Sequence, residues 1–193
     1  MFNMPLVTKS LIGINILAFL FLPLLGESAY ALFPLWPIGE FFMPWQLLSY
    51  AFIHANLPHL AFNMLALFMF GSDLERLWGG RRYLQYYLIC ALSAAITQLL
   101  VMGLSGIHEP TVGASGAVFG LLLAFAMEFP ERRVMLLIPP IPMRAPTFVI
   151  LYGVLELVMG ITGTQSGVAH FAHLGGLAGG FLMMQIWRYR GRR

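Results

Sequence analysis

Six long apolar stretches, separated by shorter polar ones, make up most of this 193-residue chain. A helix that crosses a bilayer needs about 20 predominantly apolar residues, within a range of roughly 17–25. Six stretches reach or approach that length, the fourth and fifth lying near its short limit: residues 9–25, 57–75, 83–104, 113–129, 147–163 and 168–187. The pattern therefore predicts an all-α membrane protein, a bundle of six transmembrane helices.

The positively charged residues lie on one side of this six-helix arrangement. Lysine and arginine concentrate in the cytoplasmic loops of membrane proteins. All 11 of them fall on the same side, at Lys9, Arg76, Arg81, Arg82, Arg132, Arg133, Arg144, Arg188, Arg190, Arg192 and Arg193. The opposite loops, 26–56, 105–112 and 164–167, contain none. We therefore expect both termini in the cytoplasm. Five or seven helices would break this segregation, so the charges also favour the count of six.

Composition agrees with a membrane protein and excludes several other classes. Hydrophobic residues make up 59% of the chain and charged residues 10%, against about 25% charged residues in a soluble domain. The net charge of +3 does not indicate nucleic-acid binding, because topology accounts for the basic residues. Cys90 is the only cysteine, so neither an intrachain disulfide nor a cysteine-based metal site is expected. The first apolar stretch has no convincing cleavage site, and we interpret it as a retained helix of a single domain, residues 1–193.

The loop between the first two stretches is long and rich in aromatic residues. From Gly26 to about Asn56 it has few charges and many rings and prolines, at Phe33, Pro34, Trp36, Pro37, Phe41, Phe42, Pro44 and Trp45. Aromatic rings settle at the interface between membrane and water, so we expect this loop to lie in the outer interfacial layer. A second proline-rich segment, Pro139–Pro142, is interpreted as a stiff cytoplasmic connector.

Polar side chains recur near the outer ends of the second, fourth and sixth stretches. They are His54, His59, Asn63, Ser115, His170 and His173. Polar groups in hydrocarbon are costly and tend to mark function. For any one histidine alone, a hydrogen bond to a neighbouring helix is the simpler interpretation. Their similar depth on three helices favours a shared site, in which His59 and Asn63, four residues apart, lie on one helix face.

Ser115 has two compatible interpretations. In the run from Gly113 to Gly116 it resembles a packing serine, because small residues let helices approach closely. Two glycine pairs would bring the fourth and sixth helices together in the same way, at Gly116 with Gly120 and Gly176 with Gly180. That approach would also place Ser115 Oγ about 2.6–3.2 Å from a nitrogen of His173, as a nucleophile and its base. At a helix start, free backbone N–H groups would help to stabilise an oxyanion.

Taken together, these residues resemble the rhomboid family of intramembrane serine proteases. The matching motifs are His54-x4-His59-x3-Asn63, Gly113-x-Ser115-Gly116 and Ala172-His173-x2-Gly176-x3-Gly180, with Glu75-x3-Gly79 and Phe119 also similar. Gly-x-Ser-Gly alone is common, whereas the three motifs in this order are specific. The resemblance covers about residues 9–187 and implies the compact six-span bacterial form, so we expect neither a soluble N-terminal domain nor a seventh span.

The resemblance implies a catalytic role for four of these residues. Ser115 corresponds to the nucleophile, and His173 to the general base and acid. His59, Asn63 and the backbone N–H of Ser115 correspond to the oxyanion donors. The family uses a dyad without a carboxylate, and this sequence fits that pattern because Asp73, its only aspartate, is expected on the cytoplasmic side.

Other matching residues would support the site. The resemblance implies that Phe119 packs against the ring of His173, that His54 braces the first loop, and that Glu75 is structural. The motif glycines would support the site through close packing, at Gly113, Gly116, Gly176 and Gly180.

Three positions depart from the family pattern or fall outside it. Some members carry Trp-Arg in the first loop where this chain has Trp45-Gln46, so the anchoring of the loop in the headgroups is expected to differ. The resemblance assigns no role to His170 or Glu156. Glu156 falls in the middle of the fifth stretch, where a carboxylate is costly, and either a structural bond between helices or a role in gating or substrate handling stays open.

The implied activity is hydrolysis of peptide bonds in or near the transmembrane segments of single-span membrane proteins. We expect the protein to lie in a prokaryotic inner membrane and to need neither a cofactor nor a metal. A metalloprotease would need a motif such as His-Glu-x-x-His, which is absent from the sequence. An aspartyl protease would need two membrane aspartates. A transporter would show internal repeats, which we do not find. An inactive relative acting as a binding scaffold is disfavoured because both dyad positions are intact.

Overall fold

The computed structural model describes residues 4–135, 140–164 and 168–190. Helices make up most of it. In chain order the elements are α1 (Leu6–Phe21), α2 (Glu27–Tyr30), α3 (Gln46–Ser49), α4 (Leu57–Ala66), α5 (Ser72–Trp78), α6 (Gly80–Ser105), α7 (Ser115–Glu128), β1 (Arg133–Met135), β2 (Pro142–Arg144), α8 (Ala145–Thr162) and α9 (His170–Arg190). α1 continues as a 3₁₀ turn, Leu22–Leu25, a second 3₁₀ turn, Tyr50–Phe52, follows α3, and a π-helical turn, Leu67–Gly71, joins α4 to α5.

Each of the six predicted stretches coincides with a helix or a continuous helical run. Within the described residues, four runs are long and apolar enough to cross a membrane: Leu6–Leu25, Leu57–Trp78, Gly80–Ser105 and Ala145–Thr162. α7 is apolar but has only 14 residues, and α9 has 21 residues that include histidines, glycines and arginines. The prediction of a mainly helical membrane protein is confirmed. The crossing of the bilayer by all six helices stays a prediction.

A short β-hairpin departs from the all-α prediction. β1 and β2 pair antiparallel, with Val134 opposite Met143, and the pairing continues where the Ala145 N–H donates to the Arg132 carbonyl at 2.9 Å. Val134 is buried between two exposed neighbours, which is the alternation of a strand with one covered face. The prolines predicted a stiff connector here; of that segment Pro139 lies outside the described residues, whereas Pro142 belongs to β2.

α6 is the central helix of the bundle, and α7 and α9 pack against it. Three tyrosines of α6 are fully buried, at Tyr83, Tyr86 and Tyr87. Two side chains of α6 bond the backbones of its neighbours: Tyr86 Oη donates to the Gly120 carbonyl at 2.9 Å, and Ser93 Oγ donates to the Gly175 carbonyl at 2.8 Å. These bonds fix α7 and α9 on the same helix, and with them the residues at their N-terminal ends.

Glycines allow these three helices to approach closely, although not all as the sequence predicted. A Cβ on Gly176 would lie 1.9 Å from the carbonyl oxygen of Gly116, so this pair sets the contact between α7 and α9. Gly120 and Gly180 chiefly make room for α6 instead. A Cβ on Gly120 would lie 2.3 Å from Cys90 Sγ, and one on Gly180 would lie 2.4 Å from Tyr86 Oη.

The first loop is folded around one buried amide. Gln46 is fully buried, and its Oε1 accepts hydrogen bonds from the backbone N–H groups of Met43 at 3.1 Å and Trp36 at 3.4 Å. Its Nε2 donates to the carbonyls of Phe41 at 3.0 Å and Leu32 at 3.3 Å. The side chain that replaces the arginine of some family members therefore points into the loop and stabilises it, and does not reach outward.

Glu75 caps a helix that lies far from it in sequence. Its carboxylate accepts bonds from the backbone N–H groups of Val7 at 2.9 Å and Thr8 at 2.7 Å, and from the Thr8 hydroxyl at 2.7 Å. These are N–H groups at the start of α1, which lacks a capping side chain of its own at Pro5. A negative charge at a helix N-terminus is favourable, so this contact ties α5 to α1.

Replacing Glu75 by glutamine is expected to lower the free energy of unfolding by about 1.5–3 kcal/mol, because hydrogen bonds to a charged group contribute about that much. Unfolding of the purified protein in mixed micelles measures the change. Glu131→Gln is the matched control, since Glu131 is 78% exposed in its pair with Arg144 and its loss should cost less than about 1 kcal/mol. Equal losses in the two variants would contradict the capping role.

Candidate active site

A turn that requires a glycine brings Ser115 to the start of α7. Gly113 has a φ of +124°, a conformation that side chains rarely adopt, and its N–H donates to the Tyr50 carbonyl at 3.0 Å. Just before it, Leu35 and Thr111 exchange two backbone hydrogen bonds of 2.9 Å. The first loop is thus fixed to the segment that leads into Ser115.

Ser115 and His173 are in contact. His173 lies in the first turn of α9, and its Nε2 is 2.7 Å from Ser115 Oγ. The geometry allows the serine hydroxyl to donate to a neutral imidazole, in which case the ring proton is on Nδ1. A hydroxyl and an imidazole at this distance form the arrangement of a nucleophile and its base.

The ring of His173 is held flat against an aromatic side chain. Phe119, one turn after Ser115 on α7, stacks on it with ring centroids 4.4 Å apart and an angle of 7° between the planes. Tyr152 of α8 also lies near Phe119, with ring centroids 6.3 Å apart. The stack limits rotation of the imidazole, and it is the contact that the family resemblance implied.

α4 carries His59 and Asn63, and it brings His59 close to the turn before Ser115. Asn56 caps this helix, its side-chain oxygen accepting from the His59 N–H at 2.9 Å. The ring of His59 is close to Gly113, where an added Cβ would lie 2.7 Å from it. Asn63 is buried one turn further on, and its Nδ2 donates to the His59 carbonyl at 2.9 Å, a bond that uses one of its two amide hydrogens.

His54 lies behind this group, in the loop before α4. It is buried, and its ring meets the ring of His59 edge to face, with centroids 5.0 Å apart. Burial, with a smaller effect of the neighbouring His59, lowers the pKa of His54 to about 4. His54 is therefore neutral at pH 7, and its bracing of the first loop stays a prediction.

The N-terminus of α7 supplies backbone donors beside Ser115. The first N–H groups of a helix have no intrahelical partner, and here the bond from the Val118 N–H to the Ala114 carbonyl, 3.0 Å long, is the first of the helix. By the same rule, the N–H groups that precede it, beginning with Ser115, have no partner within the helix and can stabilise negative charge on a bound carbonyl oxygen.

Glu156, whose role the sequence leaves open, also belongs to this site. Glu156 Oε2 of α8 lies 2.9 Å from His173 Nδ1 and 2.6 Å from His170 Nδ1, and all three side chains are at least nine-tenths buried. The expectation that no carboxylate would reach His173, which considered only Asp73, is thus wrong. Glu156 is distant in sequence from both histidines. One signal in the sequence could have indicated the contact. Glu156 and His170 are both costly polar residues within membrane stretches, and the family resemblance assigns a role to neither.

Glu156, His170 and His173 also form the one group of described side chains that could hold a metal ion. One ligand atom from each lies within 4.8 Å of the others. Ligands arranged around zinc at about 2.0–2.1 Å stand roughly 3.3 Å apart in a tetrahedron. The separations of 2.6 and 2.9 Å here are both shorter than that, and the 2.6 Å contact between His170 and Glu156 is a hydrogen bond.

Comparison with known proteins agrees with the residues of this site. A family model described as the Rhomboid domain matches residues 42–190. The chain is 34% identical over 137 residues to the rhomboid protease GluP of Bacillus subtilis, covering 71% of this chain and 25% of that protein. It is 37% identical over 139 residues to RHOMBOID-like protein 4 of Arabidopsis thaliana, covering 72% and 33%. It is 28% identical over 195 residues to the rhomboid protease GlpG of Serratia proteamaculans, covering 96% and 64%. The chain thus spans between a quarter and just under two thirds of these relatives' lengths.

Proposed function

Because this chain belongs to the rhomboid family, we propose that it is an intramembrane serine endopeptidase that hydrolyses peptide bonds in or near the transmembrane segments of membrane proteins. The observation that carries the proposal is the 2.7 Å contact between Ser115 Oγ and His173 Nε2. These are the two residues that the family motifs select independently from the sequence.

The reaction follows from the positions of the protons. His173 Nε2 takes the proton of Ser115 as Oγ forms a bond to the peptide carbonyl carbon. The proton then passes from Nε2 to the leaving nitrogen as the C–N bond breaks, which leaves an acyl-enzyme. Water, deprotonated by His173, attacks the ester and releases Ser115. No cofactor or metal enters these steps.

Negative charge on the carbonyl oxygen is stabilised by donors from two helices. The backbone N–H of Ser115 comes from α7, and the side chains of His59 and Asn63 come from α4. The second amide hydrogen of Asn63 is available, because within the described part of the chain its amide donates only to the His59 carbonyl. One donor of this kind contributes about 100- to 1,000-fold in rate.

We infer a six-span topology with both termini in the cytoplasm of a prokaryotic cell. Its support is the distribution of lysine and arginine and the large apolar side chains exposed on the outer faces, such as Leu20 on α1 and Ile161 on α8. The 14 residues of α7 span only about 21 Å at 1.5 Å per residue, less than the roughly 30 Å core of a bilayer. Ser115 would therefore lie below the outer surface, at the floor of a cavity that admits water and an unwound segment of a single-span substrate.

A fluorophosphonate probe is expected to label the purified protein at Ser115, because such reagents react with a serine activated by a general base. Mass spectrometry of the labelled protein identifies the modified residue. The same preparation should cleave a model transmembrane substrate, and labelling should abolish that cleavage in proportion.

Ser105→Ala is the matched control, since Ser105 is an exposed serine at the end of α6 and its loss should leave labelling unchanged. Labelling at another serine, or cleavage that persists after complete labelling of Ser115, would overturn the proposal.

A further inference from the structure

Glu156 is a buried carboxylate held between the two histidines that begin α9. Only 7% of the residue is exposed, and its Oε2 is shared by His170 Nδ1 at 2.6 Å and His173 Nδ1 at 2.9 Å. A carboxylate in the middle of a membrane helix is costly unless it is paired. The reaction proposed above does not use it.

The contact with Ser115 determines which nitrogen of His173 faces Glu156. If Nε2 accepts from the serine, Nδ1 carries the hydrogen in the neutral ring. That nitrogen is buried and has no aligned hydrogen-bond partner among the described residues. Glu156 Oε2 is an acceptor 2.9 Å away, at hydrogen-bond distance but off the line of a good hydrogen bond in this structure. Catalytic hydrogen bonds are often poorly aligned before substrate binds.

His170 holds the carboxylate from the other side. Its Nε2 lies 3.1 Å from the Thr164 carbonyl, which can only accept, so Nε2 carries a hydrogen. One more proton then occupies the 2.6 Å contact between His170 Nδ1 and Glu156 Oε2. When this proton is on His170 the carboxylate is negative, and when it is on Glu156 the oxygen still has a lone pair for His173. The cluster is neutral overall in both cases, as its burial in the bundle requires.

We propose that Glu156 is a positioning residue for His173, so that this member of the family uses a triad of Ser115, His173 and Glu156 with His170 as a second support. The proposal rests on the proteolytic function proposed above. When His173 takes the proton of Ser115, its new positive charge lies beside Oε2. The proton shared with His170 can then remain on His170, which leaves the full negative charge of Glu156 facing the imidazolium.

Substitutions at Glu156 distinguish positioning of His173 from a purely structural contact between α8 and α9. Glutamine keeps the shape of the side chain without its charge, and aspartate keeps the charge on a shorter stem. We expect kcat on a model transmembrane substrate to fall about 10- to 100-fold in Glu156→Gln, below the roughly 10⁴-fold loss known when the carboxylate of a serine-protease triad is neutralised. KM should change less than about threefold, because Glu156 does not touch the substrate, and Glu156→Asp should be faster than Glu156→Gln.

A purely structural role for Glu156 predicts the opposite order of activity for the glutamine and aspartate variants. Glutamine can still bond both histidines, so it would be at least as active as aspartate, and any loss would follow the loss of folded protein in a thermal unfolding measurement. Glu156→Gln with the kcat of the wild type, or with a higher kcat than Glu156→Asp at equal folded fraction, would overturn the proposal.

His170 provides a second, independent comparison. If it acts through Glu156, His170→Asn should lower kcat less than Glu156→Gln does, and the double variant should be no slower than Glu156→Gln alone. Full additivity of the two losses would overturn the assignment of His170 as a support. Loss of wild-type activity on treatment with a chelator, restored by Zn²⁺, would instead identify a metal centre and overturn the triad.

The fluorophosphonate reaction distinguishes failure of this inference from failure of the proposed function. Wild-type protein that neither labels at Ser115 nor cleaves substrate would contradict the protease itself. Wild-type protein that does both, with a labelling rate unchanged in Glu156→Gln, would contradict only the triad.

Discussion

Replacing Ser115 or His173 by alanine should each lower kcat on a model transmembrane substrate by about 10⁴- to 10⁶-fold, and the double variant should be no slower than either single one. The two groups act as a unit, because the hydroxyl is a poor nucleophile until the imidazole 2.7 Å away removes its proton. Once either group is absent, removing the other therefore lowers the rate no further. Initial rates of product formation in detergent micelles, with equal amounts of folded enzyme, measure the effect.

Two substitutions serve as matched controls for this pair. Ser105→Ala and His108→Ala change the same residue types at exposed positions outside the membrane helices or at their ends, and they should leave kcat within about twofold of wild type. Cleavage by Ser115→Ala at the wild-type rate would remove Ser115 as the nucleophile. Losses in the single variants that multiply in the double variant would mean that Ser115 and His173 act in separate steps.

The helices and the contact between Ser115 and His173 could be anticipated because both depend on regular patterns. Long apolar stretches fix where helices form, since a buried backbone must satisfy its own hydrogen bonds. The residues of the site follow from motifs whose spacing places them at helix ends, as with His59 and Asn63 four residues apart on α4.

What the sequence could not supply depends on contacts between distant segments. Nothing in the run around Glu156 indicates that it meets His170 and His173, because the crossing of α8 and α9 decides which faces touch. The four hydrogen bonds of Gln46 likewise need the loop to close around it. The hairpin of β1 and β2 was missed because three-residue strands give too little alternation to detect.

Gly176→Ala should be the most damaging change outside the polar residues. The new Cβ would lie 1.9 Å from the carbonyl oxygen of Gly116 and 2.7 Å from its carbonyl carbon. Both are backbone atoms of α7, so no side chain can turn aside, and α9 must move away from α7. We expect the free energy of unfolding in mixed micelles to fall by about 3 kcal/mol or more, at the upper end of the range for overpacking.

Gly103→Ala is the matched control for this substitution. Gly103 lies within α6, and a Cβ there meets nothing within 4 Å. Alanine is the better helix former by about 0.8–1 kcal/mol, so this variant should be at least as stable as the wild type. Equal stability of Gly176→Ala and Gly103→Ala would contradict the close approach of α7 and α9.

The Gly176 variant should lose activity even in the fraction that folds. Gly116 follows Ser115 directly on α7, and Gly176 lies one turn after His173 on α9, so the clash acts on the two helix ends that carry the pair. A displacement of about 1 Å would take their 2.7 Å contact outside hydrogen-bond range, and misplacement on that scale can cost about 100-fold in rate. The labelling rate of folded Gly176→Ala with the fluorophosphonate probe should fall accordingly. A rate equal to that of Gly103→Ala would show that α9 accommodates the methyl group without moving His173, and that the glycines determine stability alone.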